Sequence, residues 1–169
     1  MGDDRRDGSG AATDGPAGTS PLAVHVGADE VPWVRNPSFG AGMRVLRVDP
    51  AQEMSVVHGT LPPGMTAGTH RHRGPVHMWT MSGSWAYLEH EYVNRAGSYL
   101  YEPAGSVHTL AVPADNDVDT EVLSIVHGAV EYLDPDGGVA YVSTWERTLA
   151  DYYAGCEEAG LPRPSGLVV

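Results

Sequence analysis

Two short histidine clusters lie between Gly64 and His108, and they limit the folds that this chain of 169 residues can adopt. The first cluster contains His70 and His72, and the second ends at His108. In an extended strand, side chains at positions i and i+2 project from the same face, so His70 and His72 can point into one cavity. Neutral histidine is the commonest protein ligand for iron, zinc, copper, nickel and manganese, so this pair is half of a metal site. A fold that completes it must bring His108 to the same cavity.

Glycines stand at fixed distances from these histidines. Gly64 lies six residues before His70, and Gly105 lies three residues before His108, just after a Pro-Ala pair. The two clusters resemble the paired histidine motifs of the cupin superfamily. The resemblance implies an all-β, single-domain cupin jelly-roll (a double-stranded β-helix), in which both motifs face the interior of a small barrel.

The first cupin motif also contains a glutamate, which this chain lacks. A spacer of four residues after the second histidine places His77 at that position, whereas a spacer of three places Val76 there and leaves six residues before Gly83. Because alternation sends Val76 and His77 to opposite faces of a strand, only one of them can face the metal. The first count gives four histidine ligands and the second gives three. We favour three, with His77 either turned away from the metal or held beside its ligands, and we predict the second case, in which His77 is a catalytic group that hydrogen-bonds the substrate or shuttles its proton.

Three longer stretches of sequence narrow the resemblance to one group within the cupin superfamily. Residues 74–77, 82–89 and 96–110 are similar to cupins grouped with 2,4'-dihydroxyacetophenone dioxygenase. That resemblance implies a non-haem Fe(II) ion held by His70, His72 and His108, with Zn, Ni or Mn as alternative occupants. It also implies oxygenolytic cleavage of a carbon–carbon bond next to a carbonyl. The expected partners are dioxygen and a small-molecule aromatic ketone or diketone.

Glu102 and four aromatic residues complete the candidate site. Glu102 is a candidate for orienting a ligand imidazole or for accepting the substrate proton, and a surface carboxylate at a turn is the alternative interpretation. The sequence does not determine which face of segment 84–92 lines the cavity. The candidate substrate pocket consists of Trp79, Trp85, Tyr87 and Tyr101.

The charge of the chain argues against two classes of partner. It has 22 acidic and 10 basic residues, for a net charge of −12 at pH 7. Such a balance disfavours binding to nucleic acid or to an anionic membrane. No apolar run approaches the length of a membrane-spanning helix, and a single cysteine excludes an intrachain disulfide. We therefore expect a cytoplasmic protein.

Short β-branched runs predict most of the secondary structure. The Ser82-Gly83 pair between two such runs predicts a tight hairpin. The expected strands cover residues 22–26, 43–48, 54–61, 76–81, 84–92, 120–127, 129–133 and 139–142.

One helix and a tail complete the organisation. Ser143 as N-cap and Glu146 three residues later predict a C-terminal helix over about residues 144–159, packed outside the barrel or over its mouth. Residues 1–20 are predicted to be a disordered tail, because their composition buries too little apolar surface, and residues 21–169 form the cupin domain. Trp33 and several aromatic strands predict a homodimer or homotetramer.

Two other functional classes stay open. A cupin could also be an isomerase or cyclase of small-molecule metabolism, or a non-catalytic metal-binding sensor. An isomerase acting on phosphorylated substrates would need basic residues, and those near the site are Arg71, Arg73 and Arg95.

Overall fold

The described residues form β-strands, a short 3-10 helix at Pro50–Gln52 and one α-helix that follows the last strand. The computed structural model describes residues 23–27, 29–36 and 40–169, so the predicted tail at residues 1–20 lies outside the described residues. No described helix is both long enough and apolar enough to cross a membrane. Strands β1 to β13 and helix α1 are, in order, Val34–Arg35, Gly42–Asp49, Met54–Leu61, His70–His72, Val76–Ser82, Ser84–Tyr87, Asn94–Arg95, Tyr99–Glu102, Val107–His108, Leu110–Ala111, Thr120–His127, Val130–Leu133, Val139–Ser143 and Trp145–Glu158.

The strands form three antiparallel sheets around a common cavity. The largest has the order β1-β2-β3-β11-β5-β8, and the smaller two have the orders β10-β6-β7 and β13-β12-β4-β9. Side chains from all three sheets line the cavity. Strands far apart in sequence are neighbours, as in the pairing of β3 with β11 and of β4 with β9. This arrangement confirms the predicted cupin jelly-roll.

Helix α1 packs against β1, β2 and β3. Tyr152 and Cys156 are fully buried in an apolar cluster with Val45, and the Tyr152 hydroxyl donates a 2.8 Å hydrogen bond to a backbone carbonyl. The predicted N-cap is wrong by one residue. Ser143 still pairs with β12 in the sheet, so Thr144 is the first residue free to cap the helix, and its side chain accepts a hydrogen bond from a backbone N–H of the first turn.

The predicted hairpin at Ser82-Gly83 is wrong. Strand β5 pairs with β11 and β8, whereas β6 pairs with β7 and β10 in another sheet. Gly83 has a φ of +68°, and a Cβ at this position would lie 2.5 Å from Thr120 Oγ1. The glycine therefore marks a corner at which the chain passes from one sheet to the next. Strand β6 then ends at Tyr87, five residues before the predicted end.

The predicted strand at residues 22–26 is also wrong where it is described. Residues 23–27 contain no strand, and no described strand pairs with them. Without a neighbouring strand to satisfy its backbone groups, an alternating sequence alone does not form a β-strand.

Candidate metal centre

Strands β4 and β9 bring three histidines together. His70 and His72 alternate along β4, and His108 lies opposite His70 in the pairing of β4 with β9. All three residues are buried, and one ligand atom from each lies within 4.8 Å of the others. The three side chains therefore form a group that could hold one metal ion, as the motif spacing predicted.

The hydrogen bonding of His70 identifies its ligand atom. Its Nδ1 lies 2.9 Å from the Gly68 carbonyl oxygen. Because a carbonyl can only accept, Nδ1 carries the proton and Nε2 keeps a free lone pair. Burial lowers the pKa of His70 to about 4, with smaller contributions from His72 and His108 that the Gly68 carbonyl opposes. The imidazole is therefore neutral near pH 7, which is the form that binds metals.

Glu102 lies at the same centre and is buried, which corrects the alternative of a surface carboxylate. Its Oε2 lies 2.9 Å from His72 Nε2 and 3.3 Å from His108 Nε2. In the part of the chain that the structure describes, none of these three buried atoms has a hydrogen-bond partner. Buried polar atoms without partners are unfavourable, and a bound cation would satisfy all three. The residues present therefore fit a metal ion.

Tyr87 contacts two of these groups. Its hydroxyl donates a 2.5 Å hydrogen bond to Glu102 Oε1, and its ring stacks on His108 with a centroid distance of 3.8 Å. Burial raises the pKa of Tyr87, and the Glu102 carboxylate raises it further, so the phenol stays a donor. Burial alone would raise the pKa of Glu102, but its contacts with His108, His72 and Tyr87 lower it to about 2. Glu102 is therefore an anion at neutral pH.

A cavity of about 220 Å³ adjoins the centre. His70, His72, Tyr87 and Tyr132 line one part of it, and most of the remaining wall is apolar. Among the described residues, no Asp, Glu, Lys or Arg lines the cavity. Its volume falls below the range of roughly 300–1,000 Å³ that is usual for drug-sized ligands. The cavity therefore suits a small and mainly apolar molecule.

His77 lies on the other face of β5. Val76 is fully buried and lines the cavity, whereas His77 points outward, with its Nδ1 2.7 Å from the Tyr99 hydroxyl. Trp79 and Tyr101 share that outer face with it. The structure thus does not bring these residues to the centre, which corrects the prediction of a catalytic His77 and of a pocket containing Trp79 and Tyr101. The reason is strand alternation, which agrees with the three-residue count of the motif.

Of the four predicted pocket residues, Tyr87 lines the cavity. Trp85 is fully buried, but it packs beside Tyr87 in the apolar core and donates its indole N–H to Thr80 Oγ1 at 2.9 Å. Tyr132 also lines the cavity, although it was not predicted to, and its ring centroid lies 5.5 Å from that of His70. Tyr132 belongs to no motif, and only the pairing of β12 with β4 places it opposite His70.

The arginines near the first motif do not enter the cavity. Arg71 Nε donates to Glu131 Oε2 at 2.7 Å, and Arg73 Nε donates to Glu131 Oε1 at 2.6 Å. Because alternation along β4 separates Arg71 from its two histidine neighbours, this ion-paired cluster lies on the side of the sheet away from the metal centre. Arg95 is exposed on β7.

Comparisons with known proteins agree with this fold. A family model for the ChrR cupin-like domain matches residues 22–131. No curated protein matches the chain. An RmlC-like cupin protein from Ralstonia eutropha JMP134 is 28% identical, with a TM-score of 0.81 over 88% of this chain and 95% of that chain. A protein of unknown function with a cupin-like fold, from the same organism, is 31% identical, with a TM-score of 0.71 over 76% of this chain and 82% of that chain.

An acetylacetone dioxygenase from Acinetobacter johnsonii has the same fold. It is 19% identical, with a TM-score of 0.67 over 81% of this chain and 94% of that chain. This likeness concerns the fold alone. The family model, in contrast, covers well over half of the chain and includes the three histidines and Glu102. The chain therefore belongs to the ChrR cupin-like family of the cupin superfamily.

Proposed function

We propose that the protein is an Fe(II)-dependent dioxygenase that cleaves a carbon–carbon bond next to a carbonyl in a small hydroxyacetophenone-like or diketone-like substrate. The observation that carries the proposal is the group of three buried histidines beside an uncharged, largely apolar cavity. An iron ion held by His70, His72 and His108 would supply Lewis acidity and the redox chemistry that dioxygen requires.

The charges of the site favour a chelating monoanion as substrate. Neutral imidazoles leave the double positive charge of a divalent ion intact, and the carboxylate of Glu102 reduces the charge of the centre to one. A 1,3-diketone or an α-hydroxyketone that has lost one proton supplies the remaining negative charge and two oxygen atoms for chelation. The apolar wall around the site excludes water and positions the substrate for reaction.

The proposed reaction balances without a further reductant. For a hydroxymethyl ketone, one molecule of dioxygen adds one oxygen atom to each carbon of the broken bond. The products are a carboxylic acid and formic acid. The substrate supplies all four electrons that dioxygen takes up, so the reaction needs no separate reductant in the cavity.

The absence of charge in the described cavity wall disfavours a phosphate-binding isomerase. Arg71 and Arg73, the basic residues closest in sequence to the site, are paired with Glu131 outside the cavity. A cyclase or isomerase acting on an uncharged substrate is not opposed by this argument. The similarity to the ChrR cupin-like family favours a second candidate function, a metal-binding sensor without catalysis. We place either activity in the cytoplasm, on the basis of the acidic composition and single cysteine.

Oxygen consumption separates the two candidate functions. Protein loaded anaerobically with Fe(II) should consume dioxygen with acetylacetone or 2-hydroxyacetophenone, and each carboxylic acid product should form in an amount equal to the dioxygen consumed. Zn-loaded protein and the His108→Ala variant are the controls, and neither should consume dioxygen. If protein that has bound one iron per chain consumes no dioxygen with either substrate, the dioxygenase proposal fails and the sensor is favoured.

A further inference from the structure

We propose that Glu102 is the fourth ligand of the metal and that Tyr87 restricts it to binding through one oxygen. The inference rests on the metal site of the proposed function, but it does not depend on the oxygen chemistry. It replaces both sequence-based roles of Glu102, as an orienting group and as a proton acceptor.

The distances at the centre are those of neighbouring ligands on one ion. Two ligand atoms about 2.1 Å from a metal, at right angles to each other, are about 3 Å apart. Glu102 Oε2 lies 2.9 Å from His72 Nε2 and 3.3 Å from His108 Nε2. All three atoms are buried at these short separations, and none of them has a hydrogen-bond partner in the described structure. A shared cation explains both the distances and the missing partners.

Tyr87 occupies the other oxygen of the carboxylate. Its hydroxyl donates to Glu102 Oε1. Its ring packs between the rings of Trp85 and His108, with centroid distances of 5.0 Å and 3.8 Å. Tyr87 is almost fully buried, so this donor cannot move away without disturbing the core. Glu102 Oε2 is therefore the oxygen left for the ion.

One-oxygen binding matters for the substrate. Three imidazole nitrogens and one carboxylate oxygen would occupy four of the six positions around an octahedral ion and would leave two for a chelating ligand. If Glu102 bound through both oxygens, one of these positions would be lost. Tyr87 is thus a positioning residue that preserves room for substrate at the metal.

Cobalt binding tests this inference without measuring activity. Affinity is measured by titrating Co(II) against a chromophoric chelator, and ligand geometry by the visible absorption of the bound Co(II). Three single variants are compared with the wild type: Glu102→Gln, Tyr87→Phe and Tyr101→Phe. Tyr101→Phe is the matched control, because it removes a tyrosine hydroxyl from the outer face of β8, the strand that contains Glu102.

Glu102→Gln should weaken Co(II) binding by at least about tenfold and change the visible spectrum. Tyr87→Phe should change the spectrum with a smaller loss of affinity, because the carboxylate stays but its second oxygen is released. Tyr101→Phe should match the wild type. A Glu102→Gln protein with wild-type affinity and spectrum would overturn the ligand assignment, and an unchanged Tyr87→Phe spectrum would overturn the role of Tyr87.

Two further measurements keep these results interpretable. Circular dichroism melts of the metal-free variants show whether each is folded. The conservative Glu102→Asp variant should bind Co(II) less tightly than the wild type, because its carboxylate side chain is one methylene shorter, but more tightly than Glu102→Gln. Cobalt binding that depends on Glu102, in a protein that consumes no dioxygen, would refute the proposed function and leave this inference intact.

Discussion

Glu102 lies directly opposite Val76 in the antiparallel pairing of β8 with β5. Val76 stands where the three-residue count of the cupin motif expects a glutamate, and its side chain lines the cavity. Directly opposite residues have Cβ atoms about 5 Å apart, so a carboxylate on either strand can reach the same point. The carboxylate missing from β5 is thus matched by one on β8.

Moving the carboxylate back to β5 should restore metal binding. We expect the double variant Val76→Glu/Glu102→Gln to bind Co(II) more tightly than Glu102→Gln alone, because its carboxylate enters the same centre. The matched control is Val76→Gln/Glu102→Gln, which has the same size and no charge. If both double variants are folded and bind Co(II) equally weakly, the two positions are not equivalent.

His77→Ala should retain both iron and activity. His77 contacts Tyr99 and Tyr101 on the outer face of the sheet, so its removal leaves the centre unchanged. We expect stoichiometric iron and a rate of oxygen consumption within about twofold of the wild type, whereas His72→Ala should lose both. An iron-free His77→Ala protein would indicate that the motif is counted with a spacer of four residues.

The metal-free protein should lose stability as the pH falls from about 6.5 towards 4. The pKa of His70 is about 4 in the folded protein and 6.5 in the unfolded chain. As the pH falls, the unfolded chain is therefore protonated at this residue before the folded protein is. Stability is therefore full above pH 6.5 and declines by roughly 3 kcal/mol as the pH approaches 4. Burial and Arg44 lower the pKa of His58, which adds an effect of the same sign.

Urea unfolding of chelator-treated protein at pH 7 and pH 5 measures this effect. This pH range avoids the stability that Glu102 contributes. That contribution is lost only below about pH 4.5, because the pKa of Glu102 is lower in the folded protein than in the unfolded chain. The control is His70→Gln, whose side chain is not protonated in this range, and its free energy of unfolding should depend less on pH. Equal pH dependence in the two proteins would show that His70 is not responsible.

The parts of the fold that depend on local pattern were predictable. Strands β3 and β11 match the predicted residues 54–61 and 120–127, because runs rich in β-branched residues are bounded there by turn residues. Motif spacing likewise predicted that His70, His72 and His108 come together. Two features that the sequence did not predict depend on which strands pair: the corner at Gly83 and the entry of Tyr132 into the cavity both follow from sheet topology. One sequence contains no direct record of that topology.

An exposed aromatic surface predicts self-association. Tyr99 and Tyr101 are 51% and 52% exposed on β8, an edge strand of the six-stranded sheet, and Trp79 lies beside them. Residues 76–82 and 99–101 contain no Asp, Glu, Lys or Arg, in a chain whose net charge is −12. Protein interfaces are depleted of charge at their centre and enriched in aromatic residues.

We therefore expect a dimer or tetramer at micromolar concentration in sedimentation experiments. The double variant Tyr99→Glu/Tyr101→Glu should shift the mass towards that of a monomer, since it places two charges per chain on this surface. The control Leu88→Glu alters an exposed apolar residue elsewhere and should leave the mass unchanged. A monomeric wild-type protein would contradict the prediction.

Iron content measures the central claim, that His70, His72 and His108 hold one divalent ion, most directly. Wild-type protein, His108→Ala and His77→Ala are loaded with Fe(II) without oxygen and freed of unbound metal, and iron per chain is determined by elemental analysis. We predict about one iron per chain in the wild type and in His77→Ala, and little or none in folded His108→Ala. Full iron occupancy in His108→Ala would contradict the account.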